Sequence, residues 1–151
     1  KTRDCEIQEF RAAQMASGFC ITMSVVGNWS AIGRLETALP SLAEQFGIRL
    51  TSHRSEHETG STDARPYAAE VIAPRQPELM HVILSFFHDQ DIQIREAIMQ
   101  HYESSYTGTA MCSMHLVVHV PVTQHPQALR EAFLDLCDEH HADGLFDPLK
   151  S

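Results

Sequence analysis

At 151 residues, 43% of them hydrophobic, the chain has the length for one domain or two small ones and enough apolar content to bury a core, so disorder is not its expected state. Its formal net charge is −9, with 20 acidic against 11 basic residues, and Lys1 and Lys150 are its only lysines. Nucleic-acid binding draws much of its affinity from neutralised phosphates, so this balance argues against direct DNA contact.

In chain order, Cys5–Met15 and Phe19–Val26 read as two strands joined by a turn at Ala16-Ser17-Gly18. In the second strand Phe19, Ile21, Met23 and Val25 alternate with Cys20, Thr22 and Ser24, the period of a half-buried strand. The first strand changes phase between Ile7 and Phe10, which predicts a bulge. A helix follows, capped by Asn28 or Ser30, with Ile32, Leu35, Leu39, Leu42 and Phe46 on one face. Pro40 removes an internal hydrogen bond and is expected to kink or split it. Gly47 ends the helix, and Ile48–Thr51 reads as a short strand.

Residues 55–65 are polar and unpatterned and read as a linker between a first unit, 1–54, and a second, 66–151. The second unit opens with a strand at Tyr67–Ala73. Pro77 suits the first position of a helix that buries Leu79, Val82, Ile83 and Phe86. Strands are expected at Ile92–Tyr102 and Ala110–Val120, the latter with Cys112, Met114, Leu116, Val118 and Val120 on one face. Pro126 opens a helix with Leu129, Phe133, Leu136 and Cys137 inward, and Gly144–Leu149 supplies a closing strand.

The second unit thus reads β-α-β-β-α-β and the first β-β-α-β, like the second without its opening strand and helix. Leu35, Ala38, Leu39 and Leu42 match Leu129, Ala132, Phe133 and Leu136 at one offset, and Ile7 and Glu9 match Ile94 and Glu96. The pattern is α+β and ferredoxin-like, with antiparallel sheets carrying helices on one face. The other sheet face is left bare, which leads us to expect a homo-oligomer.

The four cysteines form no C-x-x-C pair, and Cys20 and Cys112 lie in apolar runs, so free buried thiols in a reducing cytosol are expected. No apolar run is long enough to cross a bilayer and no signal peptide is visible, so the expected setting is cytoplasmic. His53 and His57 flank Glu56 beside Glu58, and Cys137 and His141 are four apart; neither supplies a spaced four-ligand set, so no metal or other cofactor is expected. His115 and His119 point away from the apolar row of their strand, where protonation near neutral pH would tune a sheet–sheet contact. Trp29, the only tryptophan, reads as packing at a helix start rather than a binding hot spot. No G-x-S-x-G, Walker loop, G-x-G-x-x-G or H-E-x-x-H occurs, and no catalytic residue is assigned.

The tandem order, together with Asp4-Cys5-Glu6-Ile7, Gly27-Asn28-Trp29-Ser30-Ala31-Ile32, Leu35-Glu36-x-x-Leu39-Pro40, Ile72-Ala73-x-x-x-Pro77 and Phe133-x-x-Leu136-Cys137, resembles the ACT domains, and among them the ACT-type repressors of the glycine cleavage system. The resemblance implies a regulator without enzymatic activity. It would act by protein contact on a DNA-binding activator of the LysR type, with glycine or another small amino acid as signal, and without touching DNA or membrane itself. Other readings are a sensing module for a metabolic enzyme, or a structural dimer with no small ligand. The resemblance places the ligand-binding loop at Arg75, Gln76, Pro77 and Glu78. ACT domains typically carry a glycine just after the loop proline, where backbone N–H groups approach a carboxylate. Here that position is Glu78, which would repel a carboxylate, whereas Arg75 would attract one.

Overall fold

A computed structural model of the chain describes residues 4–56 and 63–150. They fall into two compact units, Lys1–His57 and Glu58–Ser151. The stretch expected as a linker lies largely outside the described residues.

The second unit contains β3 (Ala64–Pro74), α2 (Leu79–Asp89), β4 (Gln93–Glu103), β5 (Ala110–Pro121), α3 (Pro126–Glu139) and β6 (Asp143–Pro148), and the first β1 (Cys5–Met15), β2 (Gly18–Gly27) and α1 (Trp29–Phe46). The second unit's sheet runs β4-β5-β3-β6, antiparallel throughout. This is the split βαββαβ arrangement expected from the sequence. β5 sits between two partners, and its alternation is fully expressed: Cys112, Met114, Leu116, Val118 and Val120 are all buried. They meet Tyr67, Ala69, Val71 and Ala73 of β3, Leu79, Ile83 and Phe87 of α2, and Leu129, Phe133 and Cys137 of α3. Phe86, Phe87, Phe133 and Phe146 form one aromatic cluster with ring centroids 5.2–6.0 Å apart.

Two details of α2 differ from expectation. It begins at Leu79, with Pro77 and Glu78 in the turn before it. Phe87 is wholly buried, while Val82 and Phe86 are half-buried. Leu79, Ile83 and Phe87, four residues apart, form the row buried in the core.

The first unit repeats part of this plan. β1 pairs antiparallel with β2, and α1 follows. The register of β1 shifts between Ile7 and Glu9, as the phase change predicted. β4 shifts at the corresponding place, between Ile94 and Glu96. β1-β2-α1 is therefore the counterpart of β4-β5-α3, bulge included. Asn28 caps α1, its side chain accepting from the Ala31 N–H at 2.8 Å. Gly47, at φ 63°, ends it. Pro40 does not split α1, which continues to Phe46. Pro40 is exposed, so the carbonyl it leaves unpaired can meet water.

Ile48–Thr51 is not a strand, and the second unit shows why. There the segment after α3 becomes β6 by pairing with β3 alone. Among the described residues the first unit has no counterpart of β3, so Ile48–Thr51 has nothing to pair with. The same lack leaves β2 unburied: Phe19 is 68% exposed and Cys20 is exposed too, contrary to the expected buried thiol. Among the described residues of this unit only Ala31 is buried.

Candidate functional site

The loop expected to bind a ligand joins β3 to α2 at one end of the second unit. The ladder carries on to the Arg75 N–H, which donates to the Ala110 carbonyl at 2.9 Å. The chain then turns, and the Leu79 N–H donates to the Gln76 carbonyl at 3.3 Å, opening α2. Glu78 occupies the N-cap position in helical conformation, and its carboxylate makes no capping hydrogen bond. Its charge still complements the positive end of the helix dipole.

The four residues do not share one environment. Arg75, Pro77 and Glu78 are exposed, whereas Gln76 is half-buried. The Gln76 amide donates through Nε2 to the carbonyl of His140, at the end of α3, at 2.7 Å. A symmetric contact lies at the opposite end of the helix pair, where Gln124 Nε2 donates to the Gln90 carbonyl at 3.1 Å. Each glutamine stands just before one helix and holds the end of the other. Sequence reasoning missed Gln124, although a glutamine one or two residues before a proline marks both helix starts (Gln76-Pro77 and Gln124-His125-Pro126).

Arg75 also touches the chemistry of the core. Burial pushes the Cys112 thiol above its ordinary range, and the nearby Arg75 cation partly offsets this. Cys137, against Gly144 and Phe133, is pushed up to about 11, chiefly by burial and then by the Asp138 charge. Both thiols are protonated at neutral pH and act as small apolar groups.

The sheet face away from the helices carries a second group of polar residues. His115 and His119 lie there, half-buried, on the side opposite the buried row of β5. His115 Nδ1 lies 3.5 Å from Glu70 Oε1. A shallow depression around this pair is lined by Ile72, Ile98, Gln100 and Ser113, among others. Ile72 and Ile98 are each close to half exposed.

In the first unit Arg54 is held twice. Its Nε and Nη2 donate to both carboxylate oxygens of Glu36, at 2.8 and 2.7 Å. Its guanidinium carbon lies 3.9 Å from the centre of the Trp29 ring. Trp29 therefore lies under an arginine at the start of α1, but it is 80% exposed rather than packed as expected. The hydrogen bond from Arg54 is the main cause of a lowered Glu36 pKa.

Among the described residues no group of three or more histidine, cysteine or acidic side chains is placed to hold a metal ion. Of the two constellations considered from sequence, His57 and Glu58 lie outside the described residues. Cys137 is buried, and His141 is exposed in a left-handed turn. No helix among the described residues is long and apolar enough to cross a membrane.

Comparison with known proteins agrees with the fold. No protein-family model matches the chain. Over 147 residues it is 23% identical to the glycine cleavage system transcriptional repressor of Escherichia coli (strain K12), an alignment spanning 93% of this chain and 74% of that protein. The Shigella flexneri protein of the same name matches equally. Among solved structures, a putative glycine cleavage system transcriptional repressor superposes with a TM-score of 0.73 at 22% identity, covering 97% of this chain and 83% of that one. An unknown protein from Galdieria sulphuraria gives 0.72 at 18% identity, with the same coverage. The chain has an ACT-type fold.

Proposed function

We propose that the chain is a non-enzymatic regulator that represses the glycine cleavage system by contact with a DNA-binding activator of the LysR type, with glycine or a similar amino acid as signal. The observation that carries this reading is the collinear similarity to the glycine cleavage system transcriptional repressor, which spans 93% of the chain. The net charge of −9 supports a division of labour in which the partner, not this protein, meets DNA. Exposed apolar side chains in both units, among them Phe10 and Phe19 in the first and Ile72 and Ile98 in the second, offer surface for a protein contact.

The signal site in this proposal is the loop Arg75-Gln76-Pro77-Glu78. A free amino acid carries one carboxylate and one ammonium, and the exposed Arg75 and Glu78 supply one charge of each sign to meet them. Calorimetric titration with glycine tests this. Saturable binding weakened about tenfold or more by Arg75→Ala, a loss on the order of 1.4 kcal/mol, is the expected result. Absence of heat at millimolar glycine would remove the sensing step and leave the protein contact to be tested by itself.

One observation favours a second reading. The side chain of Gln76 already joins the loop to the end of α3. A loop fastened in this way suits a regulator that works by protein contact alone. Unchanged contact with the activator in the presence and absence of every amino acid would select it.

A further inference from the structure

We propose that the depression on the outer face of the second unit's sheet is a docking site for an arginine side chain carried by a basic protein partner. In the regulatory reading that partner is the DNA-binding activator, and the inference rests on that reading for the partner's identity alone.

Two neighbouring rows of the sheet build the site. In one row Glu70 of β3 pairs with His115 of β5, which pairs with Ile98 of β4. In the next, Ile72 pairs with Ser113, and Ser113 with Gln100. Ile72 and Ile98 thus occupy one diagonal and Glu70 and Gln100 the other, with His115 and Ser113 between them. All six line the depression. They alternate along their strands with the buried Val71 and Met114, which places them on the side away from the helices.

The volume is about 190 Å³, less than the roughly 300 Å³ at which pockets for whole small-molecule ligands begin. A single long side chain fits that size, and the lining selects which one. Ile72 and Ile98, 46% and 49% exposed, can cover a run of methylenes. A carboxylate, an amide carbonyl and a hydroxyl can accept hydrogen bonds from a cationic head, and the imidazole offers a flat face. Arginine joins an aliphatic stem to a planar head of five donors that pairs with carboxylates and stacks on rings. The Glu70 side chain is 54% exposed and open to such a head.

Other occupants fit less well. A purely apolar group would strip water from Glu70 and His115 without replacing its hydrogen bonds. A carboxylate or phosphate would meet like charge, because Glu96 and Asp143 flank the site, paired with Val117 and Ile72. Among the described residues that pair across these rows there is no Lys or Arg. The whole chain carries a net charge of −9, and a DNA-binding protein presents a basic surface, so long-range attraction and local contact favour the same partner.

Methyl NMR of the 151-residue chain with N-acetylarginine amide tests the site, with the uncharged citrulline analogue as control. At about pH 8 an ordinary imidazole is neutral. There the Ile72 and Ile98 methyls are expected to shift saturably with the arginine compound and not with the citrulline one. Glu70→Gln should weaken this binding about threefold or more. An unchanged methyl signal from the buried Ile83 shows that the variant keeps its fold. In interferometry, Glu70→Arg should weaken binding to the activator about tenfold or more. Silence of the Ile72 and Ile98 methyls, equal response to citrulline, or shifts spread alike over the exposed Ile7 and Ile21 would overturn the proposal. An activator that binds Glu70→Arg as tightly as wild type would overturn it too. If the activator binds neither form, the regulatory reading fails and the arginine titration alone decides the site.

Discussion

Gln76 and Gln124 make the same contact from opposite ends of the α2–α3 pair. Gln76 reaches the carbonyl of His140 at 2.7 Å, and Gln124 reaches that of Gln90 at 3.1 Å. A helix end leaves its last carbonyls without partners inside the helix, and a side chain from the neighbouring helix start can satisfy one of them. The two glutamines thus hold the loops at both ends of the helix layer, including the loop proposed to sense an amino acid. Gln76→Ala and Gln124→Ala should each cost about 1 kcal/mol in urea unfolding. The sites lie at opposite ends of the helices, so the double variant should lose about the sum. A loss confined to one of them would show that the symmetry is geometric only.

Each helix among the described residues ends on a residue with positive φ: Gly47 after α1, Asp91 after α2 and His141 after α3. In every case the next residue donates its N–H back to the carbonyl five positions earlier: Ile48 to Ala43, Ile92 to Phe87, and Ala142 to Cys137. Glycine adopts this left-handed conformation freely, and residues with a Cβ do not. His141→Gly and Asp91→Gly should therefore raise stability by about 0.5–1 kcal/mol each, whereas Gly47→Ala should lower it by a similar amount. Thermal unfolding of the three variants measures the signs.

Gly144 and Cys137 form a tight pair. A Cβ on Gly144 would stand 2.6 Å from the Cys137 sulfur and 3.3 Å from a ring carbon of Phe133. Gly144→Ala should destabilise the protein by about 1–3 kcal/mol, the usual cost of overpacking a core. In a Cys137→Ala background the 2.6 Å clash with the sulfur is removed while the Cβ of residue 137, at 3.1 Å, and Phe133 stay close, so the penalty should shrink without vanishing. Equal penalties in both backgrounds would place the strain on that Cβ and Phe133 instead.

The cysteines should separate sharply in reactivity. Cys20 is exposed, so Ellman's reagent should label it rapidly at pH 8 in the native protein. Cys112 and Cys137 are buried with raised pKa values and should react only on unfolding. Alkaline stability follows from the same shift. The folded Cys137 thiol titrates at about 11, above the ordinary cysteine value of about 8.5. Its contribution is complete below the unfolded value and is lost as pH rises through the folded one, because the unfolded chain releases the proton first. The fall in stability across this window should be shallower in Cys137→Ala.

How far the sequence discloses the fold depends on whether a segment's structure is decided locally. β5 was legible because its period of two is unbroken and both its neighbours lie within the same unit. The bulge in β1 and the Asn28 cap were legible because a phase change and a side-chain type are local signals. Ile48–Thr51 was misread because its strand propensity is local but its partner is not: β6 forms on β3, and the first unit has no such strand among the described residues. Cys20 was misread for the same reason, since an alternating strand buries a side only when something covers it. The proposal of a ligand loop at Arg75–Glu78 rests on resemblance. Gln76's reach across to α3, however, depends on the antiparallel packing of two helices 64 residues apart in that contact, which no spacing in the sequence announces.

The most direct test of the regulatory account is binding of the purified 151-residue chain to the LysR-type activator of the glycine cleavage operon, measured by biolayer interferometry with and without glycine. The account predicts saturable binding to the activator that glycine changes, and no binding of the chain alone to operator DNA. Failure to bind the activator at micromolar concentration in either condition, or tight binding to DNA without it, would contradict the account.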